Sequence, residues 1–188
     1  TIGVTSSGLL LAAWVEETAG IRALYTAGSS DQGVSWSAPT PLPVVGDYQD
    51  DPTIASTGPD AFTVAWSEDF DKLASSSTDG GATWSSPEYL SQAMNSYGRV
   101  SLVPIGGDEI VAIFQQFDGN SGQFSIQSRR STDGGLTWNA IVPVSGDWSG
   151  SFGNGLYAFG VSPSAGTVIA VWSRGIGGFE DGLFAATS

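Results

Sequence analysis

The chain contains no cysteine and no histidine. Without cysteine there is neither a disulfide framework nor a thiolate metal site, and without histidine the commonest zinc ligand and the usual neutral-pH general base are gone. Any catalysis must therefore rest on carboxylates, tyrosines or arginines. Basic residues are scarce as well, with six Lys and Arg against nineteen Asp and Glu and a formal net charge of −13. Such an excess opposes nucleic acid and anionic membrane surfaces as partners and suits cationic ligands, divalent metals or neutral glycans. No apolar run approaches the ~18 residues of a membrane span, and no helical periodicity stands out. Few lysines, no cysteine and abundant Ser, Thr and Gly point to a secreted or cell-surface protein.

What is present is repetition. The 188 residues suffice to bury a proper core as one domain, yet they divide into similar units of roughly fifty residues, an interval that changes the fold expected. The segments SSDQGVSW (Ser29 to Trp36), STDGGATW (Ser77 to Trp84) and STDGGLTW (Ser131 to Trp138) are close copies. Upstream of each lies an alternating apolar run ending in an aromatic, so that Trp14, Trp66, Phe114 and, in a fourth unit, Trp172 align. A turn bearing Gly or Pro precedes each run, and a short strand precedes that. Each unit thus reads as four short strands, a to d, joined by hairpins, with units at about 1–46, 47–94, 95–154 and 155–188. The expected fold is all-β: a β-propeller of four-stranded antiparallel blades.

The repeated turn has its own chemistry. A short Asp side chain accepts hydrogen bonds from the backbone just beyond it, glycine takes the positive φ that a β-carbon penalises, and the tryptophan is expected to re-enter the sheet as an anchor. The pattern S-x-D-x-G-x-T-W resembles the Asp box, or BNR repeat, of sialidases and other propellers. The resemblance implies structural roles, away from any catalytic centre, for Ser29, Asp31, Gly33 and Trp36, for Ser77, Asp79, Gly81 and Trp84, and for Ser131, Asp133, Gly135 and Trp138. The first copy departs from it in having Ser35 where the others have Thr83 and Thr137.

Aligned on the second unit, the closing GLFAATS brings Ser188 to the place of Ser77. The fourth unit is therefore expected to lack its outer strand, either because the chain is part of a larger propeller or because another strand completes it. An open edge of this kind invites self-association or strand addition.

Chemistry is expected on the face formed by the d-to-a connections and the b-to-c loops, which gather many of the carboxylates. The sialidase resemblance implies a three-arginine clamp, a Tyr–Glu nucleophile pair and an acid/base aspartate. YGRVSLVP resembles an inner-strand arginine segment, so Arg99 faces the channel, but its counterparts are Thr1, Asp51 and Ala158. Asp51, Arg99 and Tyr97 are the catalytic candidates. Tyr48, Asp50, Asp51, Tyr97, Arg99, Trp148, Tyr157 and Arg174 are the ligand-binding candidates, with aromatics placed to stack on sugars. Arg22, at the start of a strand c, is expected on the outer part of its blade. No cofactor is implied. Clustered hard oxygens at Asp50 and Asp51 leave calcium as the alternative, although no calcium-loop motif is present.

The function expected is a non-catalytic extracellular recognition or structural module that binds a glycan or a protein. The alternatives are a fragment of a sialidase or other exo-glycosidase, and a protein-interaction propeller in a surface assembly.

Overall fold

The structure, a computed structural model, describes residues 1–92, 98–147, 156–162, 167–175 and 181–187. Every regular element among them is a strand, and no helix is long and apolar enough to cross a membrane. The first sheet comprises β1 (Ile2–Val4), β2 (Leu10–Thr18), β3 (Ile21–Ser29) and β4 (Thr40–Pro41). The second comprises β5 (Gln49–Ser56), β6 (Phe62–Glu68), β7 (Asp71–Ser77) and β8 (Glu88–Ser91). The third holds β9 (Val100–Gly106), β10 (Glu109–Asp118), β11 (Gln123–Ser131) and β12 (Val142–Pro143), and the fourth β13 (Leu156–Ser162), β14 (Thr167–Gly175) and β15 (Asp181–Thr187). Each sheet is an antiparallel meander with its strands in chain order.

Alternation along the strands explains why the sheets stack. On β6 the side chains of Phe62, Val64 and Trp66 join Leu11, Ala13 and Leu24 of the first sheet, whereas Ala65 faces Val100, Ala112 and Phe114 of the third. Successive residues of a strand point to opposite faces, so a sheet covered on both sides is buried throughout. Trp66 is wholly inaccessible. A further cluster, with Val103, Ile113, Phe124, Ile126, Val168 and Trp172, fills the seam between the third and fourth sheets. The core is thus a series of seams between sheets.

The three repeated turns follow β3, β7 and β11 and share one hydrogen-bond pattern. In the second, Ser77 Oγ donates to Asp79 Oδ1 at 2.7 Å, Gly81 N donates to Ser77 Oγ at 2.9 Å, and Thr83 gives its N–H to Oδ1 and its hydroxyl to Oδ2 at 2.9 and 2.5 Å. Asp133 is bonded in the same way by Ser131 and Thr137, and Asp31 by Ser29 and Ser35, whose hydroxyl replaces that of threonine at 2.6 Å. These bonds favour the ionised carboxylate. The hydroxyl of Ser35 leads in pulling Asp31 down to about 2, that of Thr83 does the same for Asp79, and in Asp133 burial opposes a shift that remains downward.

Two details differ from expectation. The tryptophans do not re-enter the sheet: Trp36, Trp84 and Trp138 precede β4, β8 and β12, and the next residue makes the first bridge, as where Ser85 N donates to Ser76 O at 2.9 Å. The compact Asp loop closes too soon for the ring to lie within a strand. Trp84 and Trp138 instead pack against the seam with the preceding sheet, while Trp36 is 41% exposed.

The turn is also a fastener between sheets. A β-carbon on Gly135, at φ 85°, would lie 2.6 Å from the hydroxyl oxygens of Thr63 and Ser76 in the second sheet, and Thr63 Oγ1 donates to Gly134 O at 2.7 Å. In the first copy the nearest neighbour of a β-carbon on Gly33 is Leu10, 3.6 Å away in its own sheet.

Candidate functional site

The second sheet opens with a fault. Asp50 pairs with Ser67, but the next pair is Thr53 with Ala65, so β5 carries one extra residue in a bulge containing Asp51 and Pro52. Proline has no N–H for a ladder and belongs at such a place. Asp51 takes φ 49°, uncommon for a residue with a β-carbon. The β6–β7 hairpin turns through Asp69 and Phe70, at φ 47° and 81°. Positive φ at both central residues is what a tight hairpin of this kind demands, usually of Asn and Gly. Backbone strain is therefore concentrated at one end of the second sheet.

At that end lies a cavity of about 540 Å³. Tyr48, Asp50 and Asp51 line it from the start of β5, Ser67, Asp69, Phe70 and Lys72 from the β6–β7 hairpin, and Gly98 from the approach to β9. The rings of Tyr48 and Phe70 are about half exposed. Cross-strand register sets Asp50 opposite Ser67 and Ser67 opposite Lys72, and residues opposite one another share a face. A carboxylate, a hydroxyl and an ammonium thus form a row across three strands.

Ion pairs from the adjoining sheets clamp the carboxylates. Arg22 forms a fork on Asp50, Nη1 to Oδ2 at 2.9 Å and Nη2 to Oδ1 at 3.1 Å, with its guanidinium 4.8 Å from the centre of the Tyr48 ring. Its pKa is raised, chiefly by Asp50. Arg99 Nε donates to Asp51 Oδ1 at 3.0 Å. Lys72 is 1% exposed, and its Nζ donates to Ser67 Oγ at 2.8 Å. Burial pushes its pKa down to about 8 against the opposing pull of Asp51, Asp71 and Asp50. Behind the pocket, buried Glu68 accepts from Trp66 Nε1 and Val45 N, both at 2.8 Å, and from Gly46 N, which ties the preceding connection to the sheet.

Of the residues singled out from sequence, the fold therefore gathers Tyr48, Asp50, Asp51 and Arg99. Tyr97 and Trp148 lie outside the described residues. Tyr157 and Arg174 fall on β13 and β14, with their side chains outside the description. Arg22 corrects its expectation: the β2–β3 hairpin carries it to the pocket rim, where Asp50 and the Tyr48 ring hold it. Sequence reading passed over Lys72, Ser67, Phe70 and Gly98. One signal was there, because Lys72 is the chain's single lysine and falls in a run of small and apolar strand residues. Among the described residues, no three carboxylates gather to hold a metal ion.

Compared as a sequence, the chain matches no protein-family model and no curated protein. Solved structures do resemble it. The α-L-arabinanase of Penicillium chrysogenum, in complex with arabinobiose, aligns over 100% of this chain and 61% of its own length at 15% identity and a TM-score of 0.69. The fold resembles that of glycosidase β-propellers. A Hadza microbial sialidase aligns over 98% of the chain and 43% of its own length at 16% identity and TM-score 0.61. A mutant of the NanB sialidase of Streptococcus pneumoniae aligns over 87% and 26% at 19% identity and TM-score 0.58. The chain spans less than two thirds of each of these propellers, and the sheets described above correspond to blades.

Proposed function

We propose that the chain is part of an exo-glycosidase propeller acting outside the cell, and that the pocket at the head of the second blade binds an uncharged sugar. The three repeated turns are read as Asp boxes, structural and remote from this pocket. The glycosidases that share the fold support the enzymatic reading over the non-catalytic module expected from sequence. The observation that carries the choice of sugar is the engagement of both guanidiniums found near the pocket among the described residues, Arg22 by Asp50 and Arg99 by Asp51. An acidic sugar needs an accessible cation to receive its carboxylate; here the arginines already hold one each, and Lys72 is 1% exposed. Carboxylates instead accept hydrogen bonds from sugar hydroxyls, while the half-exposed rings of Tyr48 and Phe70 offer faces to a sugar ring.

Glycoside hydrolysis uses two carboxylates flanking the scissile bond. Asp51, set forward by the bulge and oriented by Arg99, is the one assigned to this pocket. The test is titration with arabinobiose and with a sialoside, followed by turnover of fluorogenic α-L-arabinofuranoside and sialoside. Binding of arabinobiose alone, with turnover lost in Asp51→Asn while binding persists, is the expected result. Arabinobiose binding without turnover returns the non-catalytic recognition module. Sialoside binding overturns the uncharged-sugar reading.

A further inference from the structure

A second cavity, of about 490 Å³, lies in the seam between the third and fourth sheets. Val111, Ile113 and Val144 line it from the third sheet, and Val168 and Ala170 from the fourth. Aligned through Trp14, Trp66, Phe114 and Trp172, and through the matching outer-strand bonds of Leu42 and Val144, these positions correspond to Leu11, Ala13, Leu42, Phe62 and Val64. That earlier set forms the seam of the first and second sheets, and Trp84 of the second repeated turn packs against it. The cavity thus lies where such a tryptophan goes.

Its rim carries the same correspondence. Between the second and third sheets, a β-carbon on Gly134 of the third turn would lie 3.3 Å from Thr57 Oγ1, and one on Gly135 would lie 2.6 Å from the hydroxyls of Thr63 and Ser76. Ile105, Val111 and Arg130 hold these positions in the third sheet, where Val111 pairs with Arg130 as Thr63 pairs with Ser76. All three line the cavity. Thr57, Thr63 and Ser76 are buried beneath their turn, whereas Ile105 and Val111 are half-buried and Arg130 is exposed.

Charge adds a third observation. Arg129 and Arg130 both border the cavity in a chain of net charge −13. Arg130 pairs with Glu109, but Arg129 spends its bonds on the carbonyls of Tyr89, Trp138 and Asn139 and makes no ion pair among the described residues. The occupant that suits this rim is apolar and carries a carboxylate.

We propose that the cavity is the docking seat of a further turn of the repeated kind, a Ser-x-Asp-x-Gly-x-Thr-Trp loop leading into an outer strand that pairs with β15. Among the described residues the fourth sheet has three strands and ends at β15, whereas the other sheets each carry a fourth. The tryptophan of the loop enters the seam beside Ile113 and Ala170, and its glycine rests on Val111. Its aspartate, ionised at neutral pH as Asp79 is with a pKa of about 2, brings the charge that complements the two guanidiniums. In the first three sheets the residue after the tryptophan donates its N–H to the carbonyl of Gly28, Ser76 or Arg130. The equivalent acceptor on β15 is Thr187 O, since Thr187 pairs with Ile169 as Ser76 does with Thr63. Strand addition of this kind takes its register from the ladder and its specificity from the seated side chain. The seat is independent of the sugar pocket.

The probe is the synthetic peptide Ser131–Val144, which carries the third turn and its outer strand, added to the chain with labelled Ile, Val and Ala methyl groups. Saturable binding is expected, with methyl shifts at Val111, Ile113 and Ala170 and slowed amide exchange along β15. Trp138→Ala in the peptide should weaken binding about a hundredfold, the scale of an aromatic side chain's lost burial. In the chain, Val111→Thr reproduces the seat residue of the second sheet and keeps binding, while Val111→Arg fills the seat and abolishes it. Should Val111→Arg fail to fold, the wild-type shifts and the peptide variant decide.

Absence of shifts at about 1 mM peptide overturns the proposal, as does binding indifferent to the tryptophan. An apolar fluorophore that shifts the same methyl groups and resists displacement by the peptide makes the cavity a small-molecule site and overturns it too. Self-association that the peptide reverses makes the occupant a second copy of the chain, with the same consequence.

Discussion

The repeated turns and the pocket are both built from aspartate, hydroxyl and glycine, yet they are assembled on different scales. In each turn the Asp is bonded by groups two and four residues away, as Asp79 is by Ser77 and Thr83. In the pocket, Arg99 reaches an aspartate 48 residues earlier and Ser67 a carbonyl 31 residues later. An aspartate satisfied within its own loop can be copied from blade to blade, even where, as at Gly134, the backbone of the turn also bonds to the neighbouring sheet. A site satisfied only across blades exists where the particular neighbours meet, here at the end of the second blade, between Arg22 of the first and Arg99 of the third. The first is construction and the second is where chemistry can be placed.

The largest effect expected concerns the turns themselves. Gly135→Ala places a β-carbon against Thr63 and Ser76 in the preceding blade and strains a positive φ, and overpacking together with strain should cost roughly 3 kcal/mol. Gly33→Ala strains φ alone and should cost about 1 kcal/mol. Urea denaturation of the two variants measures the difference, and equal losses would show that the turn is a local device with no fastening role.

An intermediate effect probes the turn by pH. The folded pKa of Asp79 lies near 2 against an ordinary 3.8, so the stability it contributes is fully present above 3.8 and is lost as pH falls toward 2. Asp79→Asn should flatten the acid limb of a melting-temperature profile. An acid limb unchanged in Asp79→Asn would show that the ionised carboxylate of the turn contributes nothing to stability.

The smallest effect on stability belongs to Arg99→Ala. Its side chain is 73% exposed, and exposed ion pairs contribute about 1 kcal/mol or less. Calorimetry should barely register the change, whereas arabinobiose binding should weaken because Asp51 loses its orienting partner. A large loss of stability would make Arg99 part of the seam and not of the site.

Much of the architecture was legible because its causes are local. Apolar alternation marked β2, β6, β10 and β14, the glycine-bearing turns marked their hairpins, and the Asp loops marked the approach to each outer strand. The placement of the tryptophans was not legible, since it depends on how many residues the Asp loop consumes before pairing resumes. At the site, Tyr48, Asp50, Asp51 and Arg99 stood out as polar and aromatic residues in connections. Arg22 and Lys72 did not, because each starts a strand and nothing local says that a hairpin will lean toward the next blade or that an ammonium will be enclosed.

Sequence alone determined that this chain is an all-β repeat, through hydrophobic periodicity and turn chemistry that act over a few residues. Tertiary structure decided which strand ends meet, and with them the bulge at Asp51, the engagement of both arginines and the burial of Lys72. Those outcomes are set by contacts between blades, where the partners are far apart in the chain and only packing brings them together.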